Sequence, residues 1–212
     1  MSGYSSEVES FEHNGRKVTI YFDPDAESPR EFCNLATLAC WHRRVNLGDE
    51  QIVGMSEDKL RARVTECGEE IMALLPLHLF DHGGMTMSTE EYGDRWDSGQ
   101  VGWAYVTKSR AEELGCVGNS GGDMWDEARY LKAIKAEVET YAMFLRGEIY
   151  GYEVKGADDD KLDACWGFYG LEDVRQEAKE AAEGSDDPAE DRAAEELAVR
   201  ATFAGINGEV ES

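Results

Sequence analysis

The run VESFEHNGRKVTIYFDPD at residues 8–25 admits few folded forms. Asn14-Gly15 is a pair suited to positive φ at two successive positions, and it sits between alternating segments. In the second arm Val18, Ile20 and Phe22 alternate with Lys17, Thr19 and Tyr21, and Pro24 ends the run. The spacing predicts a β-hairpin.

Two longer segments read as helices. Over Ser56–Leu74 the apolar residues Leu60, Val64, Cys67, Ile71 and Leu74 recur at three- and four-residue steps. Ser56 stands at the cap, Glu57 and Asp58 favour the positive end of the helix dipole, and Pro76 ends the segment. A second helix is expected from Met124 to Arg146, capped by Asp123 and closed by Gly147. Its stripe is Met124, Ala128, Leu131, Ile134, Val138, Tyr141 and Leu145. A short helix is expected over 109–114, ending at Gly115. Strands are expected near 77–81, 84–88, 100–107, 148–155 and 163–169, the last two joined by the acidic turn GADDDK. Residues 27–51 leave helix and strand both open, with NLGD at 46–49 as a turn.

These elements imply an α+β fold: a mostly antiparallel sheet of about five to seven strands packed against two main helices. Residues 1–171 are expected to form a single α+β domain. Residues 172–212 differ in composition, with 13 acidic and 4 basic residues and Phe203 as their one aromatic. LEDVRQEAKEAAEG and PAEDRAAEELAVRATFAG have helical composition with mostly alanine on their apolar faces. The expectation there is an acidic tail of marginal helices or partial disorder.

The net charge of −24 narrows the partners. Such a chain repels nucleic-acid phosphates and anionic membranes and attracts basic surfaces. A solubility role, or a generally acidic source, accounts for the same charge. The chain has no apolar run near ~18 residues, so no membrane span is expected. MSGYSSEVES is polar and acidic, unlike a signal or transit peptide. Five cysteines without CxxC spacing suggest a reduced, intracellular setting and small core residues.

Three stretches carry candidate chemistry. LPLHLFDHGGMTMS at 75–88 places His78 and His82 around Asp81. Two histidines four apart share a metal ion on a helix. Pro76 and Gly83-Gly84 leave no room for that helix, and on a strand four residues span ~13 Å. The stretch is therefore read as a hairpin whose turn, Asp81 to Gly84, forms one side of a site, with no metal or other cofactor. CWHRR at 40–44 sets His42, Arg43 and Arg44 together, a basic cluster suited to clamping a phosphate or carboxylate, or to pairing with the chain's own acids. RWDSGQVGWAYV at 95–106 contains Asp97 and Ser98 ahead of an extended segment, unlike the strand-turn-helix elbow of a serine hydrolase. Trp96, Trp103 and Trp166 are read as core aromatics. GNSGG at 118–122 precedes a helix whose start already holds Asp123 and Asp126, which disfavours an anion there.

The segments NLATLACWHRRVNLGDEQ, LPLHLFDHGGMTMST, WDSGQVGWAYVTK, LRGEIYGYEV and DACWGFYG resemble a family of uncharacterised proteins of bacteriophages and mobile elements. The resemblance runs from about Val18 to Gly170. EEYGDR before Trp96 departs from the proline- and cysteine-containing link of that family. The resemblance implies a phage-type accessory protein in the bacterial cytoplasm and brings no catalytic residues with it. The expected function is protein–protein interaction, as a counter-defence inhibitor whose acidic surface occupies a basic, nucleic-acid-binding host protein, with no direct nucleic-acid or membrane binding. The alternative is a small enzyme or anionic-ligand-binding protein with a pocket formed by His42, Arg43, Arg44, Asp81, His82, Asp97 and Ser98.

Overall fold

Asn14 (φ 51°) and Gly15 (φ 75°) both take the left-handed conformation, and the hairpin forms around them. It pairs β1 (Glu7–His13) with β2 (Arg16–Phe22). In the computed structural model the chain is described over residues 6–94, 96–116 and 126–185. It is an α+β protein whose strands form two sheets rather than the single sheet expected. Of the described residues, those up to Ala26 and from Glu148 onward make one compact unit, and those between Glu27 and Gly147 make the other.

The first unit is an antiparallel sheet of order β1-β2-β8-β9, with β8 at Ile149–Lys155 and β9 at Lys161–Tyr169. The acidic turn between β8 and β9 forms as expected, with Asp159 at φ 63°. The helix α4 (Leu171–Gly184) covers Val18, Ile20, Tyr150, Tyr152 and Val154 of the sheet. Its own buried positions are Val174, Ala178 and Ala182. Alanine at two of them lets the helix axis lie close to the sheet. Arg175 clamps Glu9 of β1 through two bonds of 2.6 Å, holding the Glu9 carboxyl below its usual range. The acidic segment thus begins as part of a core. The second tail helix expected from the sequence lies outside the described residues.

The second unit is a mixed sheet of order β4-β3-β7-β5-β6, in which only the β3–β4 pair is parallel. The strands are β3 (Thr37–Cys40), β4 (Glu50–Gln51), β5 (Ile71–Asp81), β6 (Met85–Ser88) and β7 (Ser98–Thr107). Among its described residues it has three α-helices: α1 (Glu57–Glu66), α2 (Lys108–Glu113) and α3 (Glu127–Arg146). Tyr130, Ile134, Val138 and Tyr141 of α3 pack on Ala73, Leu77, Leu79, Ala104 and Val106. Leu60 and Val64 of α1 pack on Trp103 and Tyr105, which alternate with that set along β7 and so face the opposite side. The expected start of α3 at Met124, with Asp123 as cap, and the GNSGG loop lie outside the described residues. Asp126 is the cap observed, accepting from Arg129 N at 2.9 Å.

Three sequence expectations are corrected. The helix expected to reach Leu74 ends at Glu66, and Gly68 (φ 82°) turns the chain into β5. Ile71 and Leu74 do pack with Leu60 and Val64, but from a strand. The apolar spacing reported shared burial, not a continuous helix. Pro76 sits inside β5 beyond the reach of β6, which pairs only from His78 to Asp81, so its missing N–H breaks no ladder. Of the tryptophans read as core, Trp103 is buried, Trp96 projects from a turn at 95% exposure, and Trp166 is partly exposed, lying over Gly151 and beside Tyr21. Of the five cysteines only Cys40 is buried.

The start of β3 is fixed by an ionic knot. Arg30, in a short 3-10 turn, bonds Asp49 at 2.9 and 2.7 Å, Glu137 of α3 at 3.1 Å and the carbonyl of Ala36 at 2.7 Å. Glu137 accepts from the backbone N–H of Leu35, and Asp49 from that of Leu38, each at 2.7 Å. Burial works against the Arg30 charge, but the bonds to Asp49 and Glu137 outweigh it and raise its pKa. Removing one partner of a buried network leaves uncompensated charge. Arg30→Ala should therefore lower unfolding stability by about 3–5 kcal/mol, read as a shifted urea midpoint.

Candidate functional site

Beyond Cys40 the chain leaves β3, and Trp41 N bonds Val101 O at 2.7 Å before the backbone bends outward. It returns through Leu47, which is fully buried, and Gly48. Gly48 has φ 66°, and a Cβ there would stand 2.4 Å from the Leu38 carbonyl, so only glycine fits the return. Ile52 N then bonds Cys40 O at 2.8 Å. The excursion holds His42, Arg43 and Arg44 out from the sheet while β4 and Val53 come alongside. Gly54 lies against the Trp41 indole.

The space between them is an open cavity of about 920 Å³, lined by Trp41, His42, Arg43, Arg44, Gln51, Ile52, Val53, Gln100 and Val101. Its size suits a small-molecule ligand. No carboxylate, hydroxyl or thiol is among these residues. His42 Nδ1 is buried and lacks a hydrogen-bond partner among the described residues. Arg43 is exposed and has no carboxylate partner among them. Neighbouring acids are already engaged: Glu50 with Arg63 at 3.3 Å, and Asp49 with Arg30 at 2.7 Å. Cys40 does not act as a nucleophile, because burial, with Asp49 nearby, pushes its thiol up to about 12.

Asp81, His82 and Asp97 meet at the adjoining end of β5 and β7. The hairpin forms, with β5 ending at Asp81, β6 starting at Met85 and Gly83 at φ 72°. Asp81 N bonds the Asp97 carbonyl at 2.9 Å, Arg44 Nη2 reaches Asp81 Oδ2 at 2.7 Å, and His82 Nδ1 lies 2.9 Å from Asp97 Oδ2. Six of the seven expected residues thus fall in two linked groups. His42, Arg43 and Arg44 line the cavity. Asp81, His82 and Asp97 do not line it; Arg44 ties them to it. Ser98 stands apart, lining a second, smaller cavity with His78. No group of three metal-ligating side chains occurs among the described residues.

Gln51, Ile52, Val53, Gln100 and Val101 were not expected as lining residues. Gln100 and Val101 lie within the WDSGQVG stretch, but nothing in sequence spacing brings them beside Trp41. Gln51 and Gln100 bond backbone carbonyls through Nε2, at 2.6 Å to Leu47 and 3.2 Å to Gly102. Their Oε1 atoms have no bond to the described chain.

The Arg44–Asp81 pair is largely solvated, with the Arg44 side chain 76% exposed. Exposed pairs contribute little. Arg44→Ala should change stability by less than ~1 kcal/mol, measured by urea unfolding, which makes this side chain a clean probe of binding.

Comparison with protein-family models, with curated proteins and with solved structures gives no match for this chain.

Proposed function

We propose that this is a phage-type accessory protein that acts by binding, and that the cavity beside β3 and β4 receives an anionic group of its ligand. One observation carries the reading. In a chain with 45 acidic and 21 basic residues, Arg43 stands at a cavity wall with no carboxylate partner among the described residues. A guanidinium offers a planar fork of donors that matches phosphate or carboxylate oxygens. Trp41, Ile52, Val53 and Val101 add apolar wall, so the ligand is an anion carried on an organic body.

The test is calorimetric titration of wild type and Arg43→Ala with inorganic phosphate, adenosine monophosphate and citrate. At least one should bind wild type with a Kd below ~1 mM, and the variant should bind it at least about tenfold more weakly, the scale of one lost charged hydrogen bond. No binding by any of the three, or equal binding by the variant, would count against the reading.

The charge supports a second reading. Arg30, Arg61, Arg63, Arg110 and Arg175 each pair with a carboxylate of the chain itself, which leaves a large surplus of acids. In this reading the acidic surface covers a basic, nucleic-acid-binding host protein in the bacterial cytoplasm and acts as a counter-defence inhibitor. A purified host nuclease should then be inhibited at physiological salt and released near 1 M salt, where screening shortens to ~3 Å. Inhibition that ignores salt, or none across host nucleic-acid enzymes, would remove this reading. No helix among the described residues is long and apolar enough to cross a membrane.

A further inference from the structure

A third cavity, of about 280 Å³, opens on the α1 side of the same unit. It exists because α1 is short. The helix ends at Glu66, and Gly68 (φ 82°) turns the chain away before the β3–β7 face is fully covered. The cross-strand partners Thr37 and Tyr105 lie side by side on that face. Arg63 and Cys67 at the end of α1, Glu50 of β4 and Ser109 of α2 stand around them.

Tyr105 is 6% exposed and packs on Leu60 and Val64 of α1. Its hydroxyl makes no hydrogen bond among the described residues. Glu50, Arg63 and Cys67 of the cavity wall all act on it, so it points into the cavity. Burial, with Glu50 nearby, pushes this hydroxyl up to about 12, so at neutral pH it is a neutral donor. The wall around it is polar and carries negative charge. Arg63 Nη2 meets Glu50 at 3.3 Å, a solvated pair that leaves the other guanidinium donors open. Glu69, also in the wall, has no side-chain partner among the described residues. The last carbonyls of α1 add partial negative charge.

Such a wall disfavours an anion and favours a single positive charge. A bare ammonium only donates, and it would leave Tyr105, Thr37 and the open Arg63 donors without acceptors. Hydroxyl groups on the occupant accept from these donors and donate to the carboxylates. The volume is the share of about nine waters in the liquid, which suits roughly a dozen covalently joined heavy atoms. We infer that this cavity binds a small hydroxylated ammonium ion with the size and chemistry of an amino sugar. Its ammonium meets Glu69 and Glu50, and one of its hydroxyls accepts from Tyr105. The site goes beyond both readings above and shares no described wall residue with the anion cavity.

The chain has nine tyrosines, so labelled tyrosine rings give a small set of resonances, and Tyr105→Phe identifies the one that matters. The full chain is titrated with glucosamine, glucose, N-acetylglucosamine and serine at about pH 6.5, where the amine of glucosamine is protonated. The expected result is a saturable shift of the Tyr105 resonance with glucosamine, with a Kd of ~1 mM or below. Glucose and N-acetylglucosamine keep the hydroxyls but lack the charge, and should bind at least about tenfold more weakly. Tyr105→Phe, followed by calorimetry, should weaken glucosamine binding about fivefold, the scale of one neutral hydrogen bond. It should leave the melting temperature unchanged, because the hydroxyl bonds nothing in the described chain. Arg43→Ala should leave glucosamine binding intact, which separates this site from the anion cavity. A Tyr105 resonance that does not move, equal binding of glucose, or unchanged affinity in Tyr105→Phe would overturn the inference. Serine binding more tightly than glucosamine would also overturn it, because the occupant would then be a zwitterion.

Discussion

Arg30 is the pin of the Glu27–Gly147 unit. Its guanidinium joins three pieces of chain that no ladder connects: the 3-10 turn it sits in, the loop returning to β4 through Asp49, and α3 through Glu137. The two carboxylates cap the backbone N–H groups of Leu35, Ala36 and Leu38, which set the start of β3. Tyr141 of α3 adds a bond from Gly48 N at 3.1 Å. The result is a strand whose beginning is rigid and whose far end, at Cys40, releases the chain into the His42–Arg44 excursion. The cationic cavity depends on that anchoring, because its walls are the segments that leave β3 and come back beside it.

Charge is sorted within this unit as well as balanced. Acids near the cationic cavity are consumed in pairs, Glu50 with Arg63 and Asp81 with Arg44. Around the cavity beside His78 the acids Glu91 and Asp94 carry no ion pair among the described residues. In a chain of net charge −24 a pocket with unpaired cationic side chains requires that nearby carboxylates be engaged elsewhere.

Much of the local structure was legible. Asn14-Gly15, the GADDDK turn, the Gly83-Gly84 turn and Gly147 each forced a backbone conformation that few other residues allow, and the elements beside them formed within a few residues of the expected places. The misreading at Ile71–Leu74 has a physical reason. Alternate residues of a strand and the stripe of a neighbouring helix bury into one cluster, so their apolar spacing runs on across Gly68 without a visible break. The partition into two sheets was not legible, because strand alternation reports that a face is buried but not which strand lies beside it. The basic cluster was found as a cluster. Gln51, Val53 and Gln100 were invisible because their place beside it depends on pairing between strands far apart in sequence.

The sequence by itself determined the α+β character, the hairpins and the presence of a rare basic triplet in an acidic chain, since those depend on residues within a few positions of each other. Tertiary structure alone decided what the histidines do. His78 and His82 lie four apart in one motif, and their spacing first suggests a shared ion. Strand geometry separates them: His82 meets Asp97 across the turn, while the β5–β7 bulge turns His78 toward Gln100 and a cavity of its own. A one-residue shift in register sets which face each side chain of β7 occupies, and register belongs to a pair of strands rather than to either sequence.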